Sequence, residues 1–274
     1  MHLSSRKLLF NHIPKTGGVT LRIILNRVYG IDKVFLISST NIGESLSMFG
    51  NLTDKDRDLF DVVAGHGAEL FAPMLKDPFR ITILREPLAL FVSQYHYLRT
   101  RTDSGFYDAV KPMQNLEEYI DFALKNGQDN LLTRHLSDSL QFLANPDEVI
   151  PDMRKSGDDL LVQAIHNLQG YDAVIDLDDF DAGVFALAHK LGWKKIPVYR
   201  KANTNKNNPG VETLDPELRK QLQELLKYDL ALYSMFKEMQ KAEENNINRK
   251  SIRFRLFLLR QKGIAALSKM TGRE

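Results

Sequence analysis

The chain has 274 residues, 43% apolar and 26% charged, the make-up of an ordinary soluble globular protein with one substantial domain or two small ones. A net charge of +2 excludes a chain-wide polyanion binder, and the absence of cysteine excludes disulfides, thiolate catalysis and Cys-based zinc sites. No apolar run approaches the ~18 residues of a membrane-spanning helix, and the apolar run in MHLSSRKLLFNHIPK is too short for a secretory signal, so a soluble, cytoplasmic protein is expected.

Lys7 to Asn11 reads as a short buried strand. Gly17 and Gly18 then open a helix with Leu21, Ile24, Leu25 and Val28 on one face, closed by Gly30. Lys33–Ile37, Asp61–Ala64 and Arg80–Leu84 are the next strands, the second of these running into Gly65-His66-Gly67 and the last into Arg85. Pro87 sits in the first turn of a helix carrying Leu88, Phe91, Val92 and Tyr95. Residues 115 to 170 read as helical, Asp172–Leu177 as a fifth strand, and a helix follows it to about Leu191. A polar loop, Lys201 to Gly210, precedes one long helix from Asp215-Pro216 to about Glu243. Strands alternating with helices predict an α/β fold: a P-loop-like parallel β-sheet flanked by helices, with a helical middle insertion and a C-terminal helical tail. The division expected is one domain over 1–245 and a basic amphipathic tail over 246–274.

A strand, a glycine turn and a helix N-terminus together make an anion site, because the first amides of the helix lack partners and its dipole favours negative charge. Lys15, Thr16 and Thr20 add an ammonium and two hydroxyls. The order is not GxxxxGK[ST], since the lysine precedes the glycines. The bare spacing also fits a tight turn with an exposed lysine.

Phe10 to Thr20, FNHIPKTGGVT, resembles the 5′-phosphosulfate loop of the sulfotransferases that include heparan sulfate 2-O-sulfotransferases and their bacterial relatives. Ile81 to Pro87, ITILREP, with Ser93 and Tyr95 after it, is similar to that family's 3′-phosphate motif, although Leu90 stands where a second arginine is usual. Asn130–Arg134 (NLLTR) and Tyr228–Tyr233 (YDLALY) resemble two later family helices, so the likeness runs over about residues 7 to 240. It implies a sulfuryl transfer from 3′-phosphoadenosine 5′-phosphosulfate (PAPS) to a hydroxyl, most readily of a carbohydrate or glycoconjugate, leaving adenosine 3′,5′-bisphosphate and requiring no metal. It assigns Lys15 to the leaving group, Thr16, Gly17, Gly18, Val19 and Thr20 to the 5′-phosphosulfate, and Arg85 with Ser93 to the 3′-phosphate. Val19 replaces a usual hydroxyl residue, which keeps the amide but loses a side-chain donor.

The charge chemistry fits. Such a transfer is an in-line displacement through a loose transition state, where positioning and charge stabilisation dominate. A lysine ahead of the amide cradle reaches the oxygen on which charge builds. Arg85, at a strand end, suits a phosphate dianion, the other reading being a salt bridge to Glu86. His66 is the candidate base by resemblance and by its titration range, against a strand-end cap, with Glu69 as the alternative base. His12 is expected beneath the loop, and His135 and His166 in helical patterns. Asn130 and Arg134 either line or brace the acceptor cleft, and the 201–210 loop either covers the nucleotide or is solvated.

Two rival readings stand beside this one: a kinase-like P-loop phosphotransferase and a non-catalytic nucleotide-binding protein. The stretch from Arg249 to Arg273 holds eight Lys or Arg and no acid, so with Glu274 it carries +7, which leaves −5 for the rest of a +2 chain. That tail suits either peripheral contact with anionic lipid or docking on the body or on a second copy.

Overall fold

The computed structural model describes residues 6–137, 141–145, 148–200, 211–243 and 253–261. Five parallel strands, β1 (Leu8–Asn11), β2 (Val34–Leu36), β3 (Val62–Gly65), β4 (Phe79–Leu84) and β5 (Ala173–Asp176), form one sheet in the order β2-β3-β1-β4-β5. Each falls within a residue or two of its expected place. All of β1 and β3 is buried, because helices cover both faces and continuous apolar runs suit strands wet on neither side.

Helix α1 (Gly18–Tyr29) connects β1 to β2, and α2 (Ile42–Asn51) with α3 (Asp54–Arg57) connects β2 to β3. A 3-10 stretch (Ala68–Met74) leads to β4. Between β4 and β5 lie α4 (Pro87–Thr100), α5 (Tyr107–Val110), α6 (Leu116–Lys125), α7 (Leu131–Leu136), α8 (Gln141–Ala144) and α9 (Met153–Gln169). After β5 come α10 (Phe180–Lys190), α11 (Pro216–Leu225), α12 (Lys227–Glu243) and α13 (253–261). Strand alternation divides the core. Leu8, Phe10, Val62, Ala64, Ile81, Ile83 and Ile175 face α1, α10 and α13, whereas Leu9 and Val63 face α2 and the 3-10 stretch. Two phenylalanines of the tail helix α13, Phe254 and Phe257, belong to the first of these clusters.

Helix α2 has no counterpart among the sequence expectations. Its start is a reciprocal cap: Glu44 N–H donates to Asn41 Oδ1 at 3.0 Å, and Asn41 Nδ2 donates to Glu44 Oε2 at 2.9 Å. The long helix expected from Pro216 is two helices, broken at Leu226. The cause is a side chain inserted into the helical ladder. Asn130 Nδ2 donates to Leu225 O at 2.7 Å while Asp229 N–H donates to Asn130 Oδ1 at 3.2 Å, so one carboxamide bridges the pair that would otherwise bond directly.

The same corner holds a buried polar clamp. Asp229 accepts from Leu132 N–H (3.0 Å), Thr133 N–H (2.7 Å) and the Thr133 hydroxyl (2.8 Å). Arg134 pairs with Asp129 at 2.7 Å, both side chains 1% exposed. Asn130 and Arg134 therefore brace the helical layer that walls the cleft. The polar loop 201–210 and the tail outside 253–261 lie outside the described residues.

Candidate active site

The ends of three neighbouring strands meet at one cleft of 1820 Å³. Lys15 follows β1, His66 follows β3 and Arg85 follows β4. With β1 central and chain connections leaving it in both directions, this is the switch point at which open parallel sheets collect ligands. Lys15, Gly17, Gly18, Val19, Thr20, His66, Arg85 and Ser93 all line the cleft. Thr16 does not: it is fully buried and its hydroxyl donates to Ile13 O at 2.8 Å, which ties the turn together from within. Glu69 turns away from the cleft toward Arg80, 3.8 Å from its guanidinium.

The turn after β1 is held in two left-handed residues, Lys15 (φ 63°) and Gly17 (φ 88°). A side chain at Gly17 would be strained by that dihedral and would also press on Leu177 Cδ1, 2.6 Å from its Cβ position. Gly18 is needed for a different reason, since a Cβ there would overlap the His12 imidazole. No side chain caps α1 and no acid occupies its first turn, so its leading amides face the cleft with the dipole uncompensated.

The Lys15 ammonium rests 4.3 Å from the centre of the Tyr97 ring, which the Arg101 guanidinium also approaches at 5.7 Å. Burial, reinforced by Arg85 and Arg101, pushes the Lys15 pKa down to about 8. Arg85 donates from Nη1 to Lys15 O at 3.0 Å. Its neighbour Glu86 is not its partner. That carboxylate caps α4 instead, accepting from Leu88 N–H at 3.2 Å and Ala89 N–H at 2.7 Å.

His66 bonds through Nδ1 to the His12 main-chain oxygen. A carbonyl accepts only, so Nδ1 carries the proton and Nε2 keeps its lone pair. The two imidazoles stack at 4.4 Å, and Phe10 stacks beneath His12 at 5.6 Å. Burial lowers the His66 pKa, with Arg22 adding to the effect, so the ring is neutral at pH 7. A neutral imidazole of fixed tautomer at a cationic cleft is equipped to take a proton from a hydroxyl.

Among the described residues, Lys15, Arg22, Arg85 and Arg101 line the cleft against one lining carboxylate, Asp103, while Arg134 touches it only from a buried ion pair with Asp129. Such a wall concentrates a polyanionic substrate. Tyr97, Arg101, Arg22 and His135 were not singled out from sequence as part of it. The signal for two of them was present: Ser93, Tyr97 and Arg101 are spaced by four, one stripe along α4 and its C-cap.

Comparison with known proteins agrees with the geometry. A search of curated proteins returned no significant match. The sequence model of the Sulfotransferase family matches residues 3–237, a span that takes in the glycine turn, the β3 and β4 ends and the helices that brace them. With most of its length matched and a phosphate-type cradle, a cation and a neutral histidine gathered at the switch point, the chain belongs to the sulfotransferase family and is a transferase of sulfuryl groups.

Proposed function

We propose that this sulfotransferase uses PAPS as donor and a hydroxyl of a carbohydrate or glycoconjugate as acceptor. The observation that carries the reading is the union of two motifs in one contact, the Arg85 guanidinium on the Lys15 carbonyl at the cleft. One nucleotide bearing a phosphosulfate and a ribose phosphate needs a cation from each.

The donor supplies a sulfuryl group on a phosphate leaving group. The uncapped amides of α1, with Gly17 and Gly18 leaving room for close approach, hold the 5′-phosphate. The Lys15 ammonium offsets the charge that builds on the oxygen released from sulfur. Arg85 and Ser93 take the 3′-phosphate, the fork of the former suiting its oxygens. His66 Nε2 accepts the acceptor proton as the new S–O bond forms, and the S–O bond to the nucleotide breaks in line with it. The hydroxyl-rich lining at Ser38, Ser39 and Thr40, with the Gln94 and Gln128 carboxamides also on the cleft wall, supports a sugar-like acceptor.

Calorimetry with adenosine 3′,5′-bisphosphate against Mg-ATP tests the donor, and a preference for Mg-ATP overturns it. An acceptor screen with sulfate-labelled donor, run on the native chain, Lys15→Ala and His66→Ala, tests the chemistry. Undiminished transfer in both variants removes them from the catalytic roles.

A further inference from the structure

Helix α13 presents two different faces. On the inner one, Phe254 and Phe257, each 7% exposed, pack against Phe185 with ring centres 5.0 and 5.6 Å away. Tyr199 completes the seat, its ring 6.4 Å from that of Phe257 and its N–H donating to Gln261 Oε1 at 3.3 Å. These contacts fix the rotation of the helix about its axis. At about 100° per residue, Arg255, Leu259, Leu256, Arg260 and Arg253 then follow one another around the outer half.

Leu256 is 54% exposed and Leu259 64%, neighbours at i, i+3. A lone exposed leucine carries no message. Here two form a ridge with Arg255 on one flank and Arg260 and Arg253 on the other, all exposed, and no acid occurs between 253 and 261. A second copy on this face would bring arginines against arginines. An anionic lipid surface instead offers negative charge at the level of the flanks and apolar depth beneath the ridge, and arginine stems reach between the two.

We propose that the outer face of α13 is a contact for an anionic membrane surface, seating Leu256 and Leu259 at the acyl boundary while Arg253, Arg255 and Arg260 engage headgroup phosphates. The chain lies on the surface through this helix, anchored to the body from behind by its two phenylalanines. Among the described residues no helix is long and apolar enough to cross a membrane.

Co-sedimentation of the full chain with phosphatidylcholine vesicles, with and without phosphatidylglycerol and at low and high salt, tests this. Binding is expected on the phosphatidylglycerol vesicles and declines with salt. The double substitution Arg255→Gln/Arg260→Gln weakens it roughly twenty-five-fold, from about fivefold per arginine near an anionic surface. Leu256→Gln/Leu259→Gln weakens it about tenfold through lost apolar burial. Since all four side chains are exposed, the melting curves of both variants coincide with that of the native chain. Absence of vesicle binding, or equal binding to neutral vesicles, overturns the proposal. So does a dimer in light scattering that Leu256→Gln/Leu259→Gln abolishes while vesicles stay unbound.

Discussion

The Arg85 guanidinium donates to the Lys15 carbonyl at 3.0 Å, so the end of β4 is tied to the left-handed residue that begins the glycine turn. One side chain thus serves the loop and lines the cleft. Arg85→Ala is predicted to weaken adenosine 3′,5′-bisphosphate about thirtyfold, the worth of ~2 kcal/mol for charge-assisted hydrogen bonds. Adenosine 5′-phosphate, which lacks the ribose phosphate, should lose far less. Calorimetry on both ligands decides: an equal loss would leave Arg85 only its bracing role.

Lys15 gives a pH dependence with a definite sign. Burial and its arginine neighbours bring the ligand-free pKa to about 8, so the turn loses its positive charge as pH rises through that value. A bound phosphate favours the ammonium, and binding above pH 8 must therefore take up a proton. Affinity for adenosine 3′,5′-bisphosphate should fall above pH 8, by up to about tenfold per pH unit for a single linked proton. Calorimetry in buffers of different ionisation enthalpy measures the proton uptake directly. A flat affinity from pH 7 to 10 would separate Lys15 from the ligand.

The strands were legible because buried parallel strands are continuous apolar runs; His66 and Arg85 each directly follow one, whereas Lys15 lies four residues past β1 and was legible through the glycine turn and the family resemblance. The break at Leu226 was not, since it is made by Asn130, 95 residues from Leu225 in the chain, and no local pattern reports such an insertion. Helix α2 had its signal in Asn41 and Glu44, a weak one on four residues alone. Thr16 reads as a ligand by type, yet its hydroxyl bonds the carbonyl three residues back in the same turn, a competition that spacing does not resolve. The cation wall was hidden because α4 presents its polar stripe to a cleft rather than to solvent.

His66 is neutral at pH 7 because burial lowers its pKa below 6.5. A base of that kind stops working only as pH falls through the lowered value, so the acid limb of kcat/KM is expected below pH 6.5. Stability should decline over the same side. His12 is held well below its ordinary range and His135 is pushed down to about 3, both chiefly by burial. Unfolding restores their affinity for protons, so the unfolded state binds more of them below pH 6.5 and the melting temperature falls with pH. An acid limb centred above 6.5 would exclude His66 as the base.

Asp229 accepts from three buried donors at the junction of α7 and α12. Asp229→Ala strands two backbone amides and a hydroxyl, which at 1–3 kcal/mol each, partly relieved by relaxation, amounts to about 4 kcal/mol. For a domain of this size that is a drop in melting temperature of roughly 10 °C. Thr133→Val removes one donor and orphans little, so its effect should stay near 1 kcal/mol. Melts of the two variants give the comparison, and a small effect at Asp229 would mean that the clamp is not what holds α12 to α7.

Gly18 and His12 are coupled by space alone. Alanine in a helical first turn normally gains up to about 1 kcal/mol over glycine. At position 18 its methyl group would overlap the His12 imidazole, so the ring must turn away. The His12 ring stacks on His66 at 4.4 Å, so turning it away removes the surface against which the His66 imidazole is held. Gly18→Ala is therefore expected to lower kcat roughly tenfold or more, in line with the sensitivity of transfer steps to small misplacements, with little change in melting temperature. His12→Ala vacates the space, so adding Gly18→Ala on that background should have almost no further effect on kcat. The double-mutant cycle measures the coupling, and additive losses would show that the two residues act independently.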